Sequence, residues 1–311
     1  MNVPNVFLAG APKCGTTSLA TWLAGHPQVF MSPVKEPHHF CTDFGYPAYR
    51  QARDYYALFE AATDAHRVIA EASATYLYSG AAVLNIERQI QAARYVVLLR
   101  NPIAMAPALH EQLVFDGDED VADFETAWRR QQGRAEGRLI PAACREPSFL
   151  QYREACSLGS QLSRLFERVP RERVLVMLLE DLGRDPRQCW RRTQEFLDLE
   201  DDGRANFPVS NTAKEARLPR LRKLVRAASR GRQALGMPSL ARLGLGNSLD
   251  AVSIRHRPRP PLTQALRDEL AATFHDDVLL LARLIDRDLD GWLTQPEQPH
   301  PEGGTAQTVA K

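Results

Sequence analysis

Residues 6–25 of the chain read VFLAGAPKCGTTSLATWLAG, and they contain the signals of a strand, a loop and a helix in direct succession. The apolar run at residues 6–9 is typical of a buried strand, and the loop after it, residues 10–15, has glycine at both ends. In residues 16–23 apolar side chains recur at helical spacing, and Gly25 is a typical helix stop. The segment therefore predicts a strand, a glycine-bounded loop and an α-helix.

This loop has the composition of a phosphate-binding site. Its backbone N–H groups can converge on an anion, and the positive end of the following helix adds to the attraction. Lys13 contributes a full charge, and three hydroxyl side chains follow the second glycine. Cys14 is expected to be a small loop residue, although a helix N-terminus lowers the pKa of a thiol. The alternative is an ordinary turn before a capped helix. The predicted phosphate-binding residues are Lys13, Cys14, Gly15, Thr16, Thr17 and Ser18.

The position of the lysine distinguishes this loop from that of the nucleotide triphosphatases. Their loop reads G-x-x-x-x-G-K-[ST], with lysine directly after the second glycine. Here the glycine spacing is the same, but Thr16 follows Gly15 and the lysine lies inside the loop as Lys13. The sequence also offers no apolar strand that ends in an aspartate for Mg²⁺. The loop thus argues against ATP or GTP hydrolysis, although a nucleotide kinase on the same sheet remains an alternative.

Apolar runs and helical patterns alternate over the first 200 residues. Strands are predicted at 6–9, 68–70, 95–99 and 174–179, and the last two are continuous apolar runs, as expected of strands buried on both faces. Helical patterns are found around residues 80–92, 103–113, 121–132, 154–168, 187–198 and 262–286. Such alternation predicts an α/β fold, here a P-loop-like three-layer sandwich with a central, mostly parallel sheet and helices on both faces.

Composition excludes several classes of protein. The 311 residues carry 39 Lys and Arg against 38 Asp and Glu, a net charge of +1, which disfavours nucleic acid as a partner. No apolar run approaches the roughly 20 residues of a transmembrane segment, and the N-terminus does not resemble a signal peptide. The five cysteines have neither disulfide-framework nor zinc-site spacing. We therefore expect a cytoplasmic protein without a metal site.

The motifs resemble those of sulfotransferases that use 3′-phosphoadenosine-5′-phosphosulfate (PAPS). Residues 10–19 are similar to the family's 5′-phosphosulfate loop, and residues 95–102 are similar to its 3′-phosphate signature. Residues 34–40, VKEPHHF, resemble the acceptor segment of heparan-type and bacterial members, and residues 179–182 a late strand and helix. The resemblance covers about residues 5–290. It implies an enzyme that transfers a sulfuryl group to a hydroxyl or amine of a carbohydrate, lipid or secondary metabolite, and releases adenosine 3′,5′-bisphosphate.

The resemblance also implies a domain organisation. Residues 1–294 are expected to form a single sulfotransferase-like domain, in which residues 200–262 are a basic, irregular region on the acceptor side. Residues 295–311 are rich in Pro, Gly and Glu and are expected to be disordered. The oligomeric state is left open.

Arg100 is the predicted ligand of the cofactor's 3′-phosphate. It follows a buried strand, where parallel sheets place their ligand crevices, and a guanidinium can hold a phosphate through two hydrogen bonds. The family usually has a serine eight residues further on, where this chain has Ala108. His110, Arg129 or Arg130 are candidates to replace its hydrogen bond.

Catalysis needs a cation at the leaving phosphate and a base for the acceptor's proton, and it needs no metal. Lys13 is predicted to stabilise the leaving oxygen. Glu36 matches the base of heparan-type members, and His38 lies beside it in the sequence. His38 is the alternative base, because its ordinary pKa already suits the task. Alternatively, Glu36 is a solvated carboxylate that pairs with Lys35. If the two residues do not pair, Lys35 is a candidate substrate contact. The relatives have an aspartate where this chain has Cys41.

Two further residues are candidate substrate contacts. Glu71 lies in a segment that resembles the Glu-Lys-Ser/Thr-Pro segment of heparan-type enzymes, and it is expected either to orient the substrate or to support the loop. The lysine of that segment is Ala72 here. Arg217 belongs to a basic run that either lines the acceptor cleft or is a solvated helix face. Since Ala72 and Ala108 replace usual family residues, a nucleotide-binding protein with impaired catalysis is a second alternative.

Overall fold

The computed structural model describes residues 2–46, 49–209, 215–216, 254–255 and 261–294. The described residues group into two compact units. The larger unit contains those within 1–106, 152–210 and 264–311, and the smaller unit those within 107–151 and 211–263. The predicted disordered tail, residues 295–311, lies outside the described residues.

A five-stranded sheet forms the centre of the larger unit. Its strands lie in the order β2-β3-β1-β4-β5, and each neighbouring pair is parallel. Every residue of β1 is buried, and so is every residue of β4 after its first. Continuous apolar strands of this kind require cover on both faces. The strands are β1 (Val6–Gly10), β2 (Val29–Met31), β3 (Val68–Ala72), β4 (Arg94–Leu99) and β5 (Val174–Leu178).

Helices pack around this sheet, and the predicted P-loop-like α/β class is confirmed. Those of the larger unit are α1 (Thr16–Ala24), α2 (Ala52–Tyr56), α3 (Ala82–Gln89), α7 (Tyr152–Ala155), α8 (Leu158–Phe166), α9 (Leu179–Arg184), α10 (Pro186–Leu197), α11 (Gln264–Ile285) and α12 (Asp290–Thr294).

The smaller unit is built from short elements around a buried ion pair. Arg134 contacts Glu119 through both terminal nitrogens, at 2.7 and 2.8 Å, and both side chains are fully buried. Helix α4 (Pro102–Asp116) begins in the larger unit and continues into this one. Its other elements are α5 (Phe124–Arg129), α6 (Gln131–Ala135) and the antiparallel two-residue strands β6 (Glu215–Ala216) and β7 (Ile254–Arg255).

Helices α8 and α11 meet at a glycine. A Cβ at Gly159 would clash with the carbonyl oxygen of Asp277, so only glycine allows this approach. The Asp277 carboxylate accepts hydrogen bonds from the backbone N–H groups of Gly159 and Ser160, both at 2.8 Å. The apolar stripe predicted for α11 is buried, as its residues Leu270 and Phe274 show.

Several details differ from the sequence prediction, among them the helix expected at 154–168, which is divided into α7 and α8. The single helix expected at 121–132 is two short helices, α5 and α6, because Asp123 caps α5 at Thr126 N–H (2.8 Å) and the chain turns at Arg130. Strand β2 was not predicted, since three residues are too few to show a period. Residue 179, predicted as strand, begins α9.

Candidate active site

The predicted phosphate loop connects the end of β1 to the start of α1. The backbone N–H of Ala11 donates to the carbonyl of Leu98 in β4 (2.6 Å), which fixes the loop against the neighbouring strand. Gly15 is the N-cap of α1 with φ of 89°, a left-handed conformation that glycine adopts without strain. A Cβ there would also lie 2.9 Å from Cδ1 of Leu179. The strand–loop–helix prediction for this segment is confirmed.

The first turn of α1 has the features that anion binding needs. The glycine N-cap supplies no side-chain oxygen for the N–H groups of the first turn, of which that of Ser18 donates to the carbonyl oxygen of Gly15 (3.0 Å). Thr16 and Ser18 are buried, whereas Thr17 is half-buried. The arrangement can accept a phosphate or sulfate oxygen at the positive end of the helix.

Arg100 lies against the phosphate loop. It directly follows β4, is half-buried, and its Nη1 donates to the carbonyl oxygen of Lys13 (3.4 Å). Lys13 has φ of 64°, a left-handed conformation that is uncommon for a residue with a side chain. The structure thus places the side chain of Arg100 against the backbone of Lys13, the residue that the sequence assigned to the leaving phosphate.

Cys14 is a buried thiol within the same loop. Burial raises the pKa of Cys14 to about 12, and this effect outweighs the opposing influence of the charges of Arg100 and Lys13. Its Sγ lies 3.4 Å from the carbonyl oxygen of Pro12. The thiol therefore stays protonated.

The predicted acceptor segment follows β2. Nζ of Lys35 is 2.5 Å from Oε1 of Glu36, and both side chains keep about a third of their surface exposed (34% and 30%). The pairing that the sequence left open for Glu36 is therefore present. Its other oxygen, Oε2, accepts the backbone N–H of Ala74 (2.9 Å) and lies 3.7 Å from Nε2 of His38.

His38 is nearly buried and is held at three points. Its Nδ1 lies 2.8 Å from the Thr75 hydroxyl, its backbone N–H donates to Oγ of Ser73 (3.1 Å), and its Nε2 faces Glu36. A hydroxyl can donate to Nδ1 or accept from it, so this contact holds the ring in either tautomer. Glu36 and His38 are thus arranged as a carboxylate–imidazole pair.

Glu71 is fully buried beneath this segment. Its Oε1 accepts the hydroxyls of Tyr55 (2.9 Å) and Tyr76 (2.6 Å), and its Oε2 accepts that of Ser73 (2.8 Å). Burial raises the pKa of Glu71 to about 7, which outweighs the opposing effect of the three hydroxyls. Of the two roles left open by the sequence, burial favours support of the loop over contact with the substrate.

The sequence reasoning missed the hydroxyl groups around Glu71 and His38. Ser73 and Thr75 lie in the segment singled out for Glu71 alone, and two hydroxyl residues directly after a strand were the available signal. Tyr55 is far from this segment in sequence, and nothing in the sequence links it to Glu71.

Other predicted residues lie elsewhere. Ala108 is buried in α4. Within the smaller unit Nε2 of His110 lies 2.8 Å from the carbonyl of Val121, and Arg129 pairs with Glu125 (3.2 Å). Arg217 lies outside the described residues. Within the described part of the chain no group of three or more His, Cys, Asp or Glu side chains is placed to hold a metal ion. No helix among the described residues combines the length and apolar character needed to span a membrane.

Comparison with known proteins agrees with this geometry. Residues 3–216 match the sulfotransferase domain family, and the chain belongs to that family. It is similar to the crystal structure of a sulfotransferase from Alicyclobacillus acidocaldarius, with a TM-score of 0.68 and 27% identity over 94% of this chain and 99% of the other.

Two curated relatives are matched over a short segment. Carbohydrate sulfotransferase 15 of Rattus norvegicus is 38% identical over 81 residues, 23% of this chain and 14% of the rat protein. The Homo sapiens protein of the same name is 38% identical over 74 residues, 21% of this chain and 13% of the human protein. The chain thus matches only a small part of the length of these relatives.

Proposed function

We propose that the protein transfers a sulfuryl group from PAPS to a hydroxyl or amine. The observation that carries this proposal is the order of the loops at the carboxyl edge of the sheet. The acceptor segment follows β2, the Ser73–Thr75 segment follows β3, the phosphate loop follows β1, and Arg100 follows β4. Neighbouring strands lie about 4.8 Å apart, so the phosphate loop lies between the candidate base and the candidate 3′-phosphate ligand.

The donor is held by the phosphate loop and Arg100 in this proposal. The N–H groups of residues 15–17 and the hydroxyls of residues 16–18 bind the 5′-phosphosulfate, and Arg100 binds the 3′-phosphate through its guanidinium. Lys13 stabilises the negative charge that develops on the bridging oxygen of the leaving phosphate.

Glu36 and His38 remove the acceptor's proton. One of them takes the proton as the acceptor atom forms its bond to sulfur. The bond between sulfur and the bridging oxygen breaks, and its electron pair leaves with adenosine 3′,5′-bisphosphate. The half-exposed Glu36 reaches solvent more easily than His38, which favours it as the base and His38 as its partner.

A carbohydrate, a lipid or a secondary metabolite is the proposed acceptor. Half-exposed aromatic side chains lie next to His38: the ring of Tyr46 is 5.5 Å from that of His38 and 6.5 Å from that of Phe44. Aromatic walls of this kind commonly line small-molecule sites. The names of the curated relatives favour a carbohydrate.

All five cysteines are free thiols, which suits a cytoplasmic enzyme.

Calorimetry tests the donor site directly. Adenosine 3′,5′-bisphosphate should bind in the presence of a chelator, whereas ATP with Mg²⁺ should bind weakly or not at all. Binding of ATP that requires Mg²⁺, without binding of the bisphosphate, would instead support a nucleotide kinase. Binding of the bisphosphate without turnover of PAPS with any acceptor would support the catalytically impaired protein.

A further inference from the structure

Segment 71–75 holds the acceptor loop in place. The backbone N–H of Glu36 donates to the carbonyl of Ala72 (2.8 Å), and that of His38 donates to the Ser73 hydroxyl (3.1 Å). Both loop residues have left-handed backbone conformations, with φ of 58° and 53°. Side chains larger than glycine disfavour this conformation, so these residues keep it only where the surroundings fix it.

The Ser73 hydroxyl has one hydrogen and uses it on Glu71. Because Oγ of Ser73 donates to Oε2 of Glu71 (2.8 Å), its lone pairs are left to accept the N–H of His38. The hydrogen bond to Glu71 therefore keeps the hydroxyl hydrogen of Ser73 away from the N–H of His38.

We infer that Glu71 is a positioning residue that orders the acceptor loop through Ser73 and thereby holds His38 and Glu36 in their reactive arrangement. This inference rests on the proposed function for its catalytic consequence, although the loop order itself can be measured without activity.

The hydrogen bonds from Glu71 through Ser73 to His38 are called the relay below. Protonation of Glu71 reverses the direction of its hydrogen bond with Ser73. An ionised carboxylate only accepts, and it accepts from Tyr55, Tyr76 and Ser73. A protonated one must donate a hydrogen bond itself. If Ser73 accepts that hydrogen, its own hydrogen points away from Glu71 and competes with the N–H of His38. The loop then loses one anchor on His38.

The pH at which this happens is set by groups from three segments. Tyr55 of α2 and Tyr76 after β3 donate to Glu71, and both tyrosines stay protonated because burial raises their pKa. Glu36 of the acceptor segment and Cys41 directly after it also face Glu71, and the charge of Glu36 raises the pKa of Glu71 further. With a pKa of about 7, Glu71 orders the loop at pH 8 and releases it at pH 6.

Amide hydrogen exchange at His38, detected by NMR, tests the relay apart from catalysis. Ser73→Ala and Glu71→Gln should each raise the exchange rate of the His38 amide at pH 8 by about 10-fold, the size expected from one lost hydrogen bond. Tyr55→Phe is the matched control, because it removes a hydrogen bond to the same carboxylate but leaves Ser73 in place. Unchanged exchange in both Ser73→Ala and Glu71→Gln would overturn the inference.

Kinetics then separate positioning from general destabilisation. Ser73→Ala and Glu71→Gln should each lower kcat about 10-fold and leave the Kd of adenosine 3′,5′-bisphosphate within about 2-fold of its value in the unaltered protein. The double variant should show no further loss of kcat. In the unaltered protein kcat should fall between pH 8 and pH 6 as Glu71 becomes protonated. This fall should be smaller in Glu71→Gln and should persist in Tyr55→Phe. Equal effects of Tyr55→Phe and Ser73→Ala on kcat would contradict the relay. If the exchange result holds but no acceptor is sulfated by the unaltered protein, the proposed function fails and the relay stands.

Discussion

Arg100 contacts the backbone of Lys13 where two neighbouring strands end, and in the proposed function the two side chains hold different parts of the donor. Arg100 donates to the loop carbonyl of Lys13 and keeps part of its surface exposed. Its guanidinium has five N–H donors in a fork that can hold a phosphate through two hydrogen bonds. The assignment of the two cations to different phosphates can therefore be tested by ligands that differ in one phosphate.

Arg100→Ala should weaken adenosine 3′,5′-bisphosphate far more than adenosine 5′-phosphate, since only the first ligand carries the 3′-phosphate. A lost charge-assisted pair corresponds to about a 10- to 100-fold increase in Kd. Calorimetry with both ligands measures the difference. Equal losses for the two nucleotides would show that the 3′-phosphate binds elsewhere.

Glu36→Gln keeps the size of the side chain and its hydrogen bond to Ala74 but cannot accept a proton. It should lower kcat by roughly 10²- to 10⁴-fold and leave the affinity for the bisphosphate nearly intact. His38→Ala should have a smaller effect if His38 orients Glu36 or the substrate. Steady-state kinetics of the two variants decide the order, and a larger loss in His38→Ala would make His38 the base.

Glu71 should also leave a signature in stability. Its pKa is raised from an ordinary value of 4.5 to about 7, so between these values the folded protein holds a proton that the unfolded chain has released. The stabilisation is complete below pH 4.5 and is lost as the pH rises through 7. Relative to Glu71→Gln, the protein should therefore lose up to about 3 kcal/mol of unfolding free energy between pH 5 and pH 8.

Urea unfolding of both proteins at the two pH values measures this difference, because the other titrating groups cancel in the comparison. A pH dependence that is identical in the protein and in Glu71→Gln would contradict a raised pKa for this carboxyl.

At the scale of elements, long apolar strands and periodic helices were predictable, whereas short elements and polar networks were not. Strand β4 and helix α11 have enough residues to show their pattern, and α1 begins at Thr16 and ends before Gly25 as the sequence indicates. Strand β2 has three residues and acquires its form by pairing with β3. The Tyr55–Glu71 contact joins distant parts of the chain, and no local pattern encodes it.

The crossing of α8 and α11 gives a test at this scale. Gly159→Ala should lower the free energy of unfolding by about 1–3 kcal/mol, because its Cβ meets the backbone of Asp277, which has no room to move aside. Gly133→Ala in α6 is the control, since its Cβ would meet only the flexible end of Leu139, at 3.1 Å. It should be neutral or slightly stabilising. Urea denaturation measures the free energy of unfolding of both variants. Equal changes in Gly159→Ala and Gly133→Ala would show that α8 and α11 move apart at little cost in free energy.

At the scale of the whole molecule, the carboxyl edge of a parallel sheet brings distant segments of sequence together. The phosphate loop, the acceptor segment and Arg100 lie far apart in the chain, and their meeting follows from strand order, which motif spacing alone does not give. The acceptor segment and Arg100 were predicted to belong to the site because of the family resemblance. The support of that segment by Glu71, Ser73 and Thr75 required the three-dimensional arrangement.

Transfer of labelled sulfate from PAPS to an acceptor panel of sugars, lipids and phenols tests the central claim most directly. The assay is run in the presence of a chelator, with Lys13→Ala as the paired variant and its folding checked by circular dichroism. We predict labelled product and stoichiometric adenosine 3′,5′-bisphosphate from the unaltered protein, and a rate lower by at least about 100-fold in Lys13→Ala, as for removal of a transition-state cation. Equal rates in the two proteins, or binding of the bisphosphate with no transfer to any acceptor, would contradict the account.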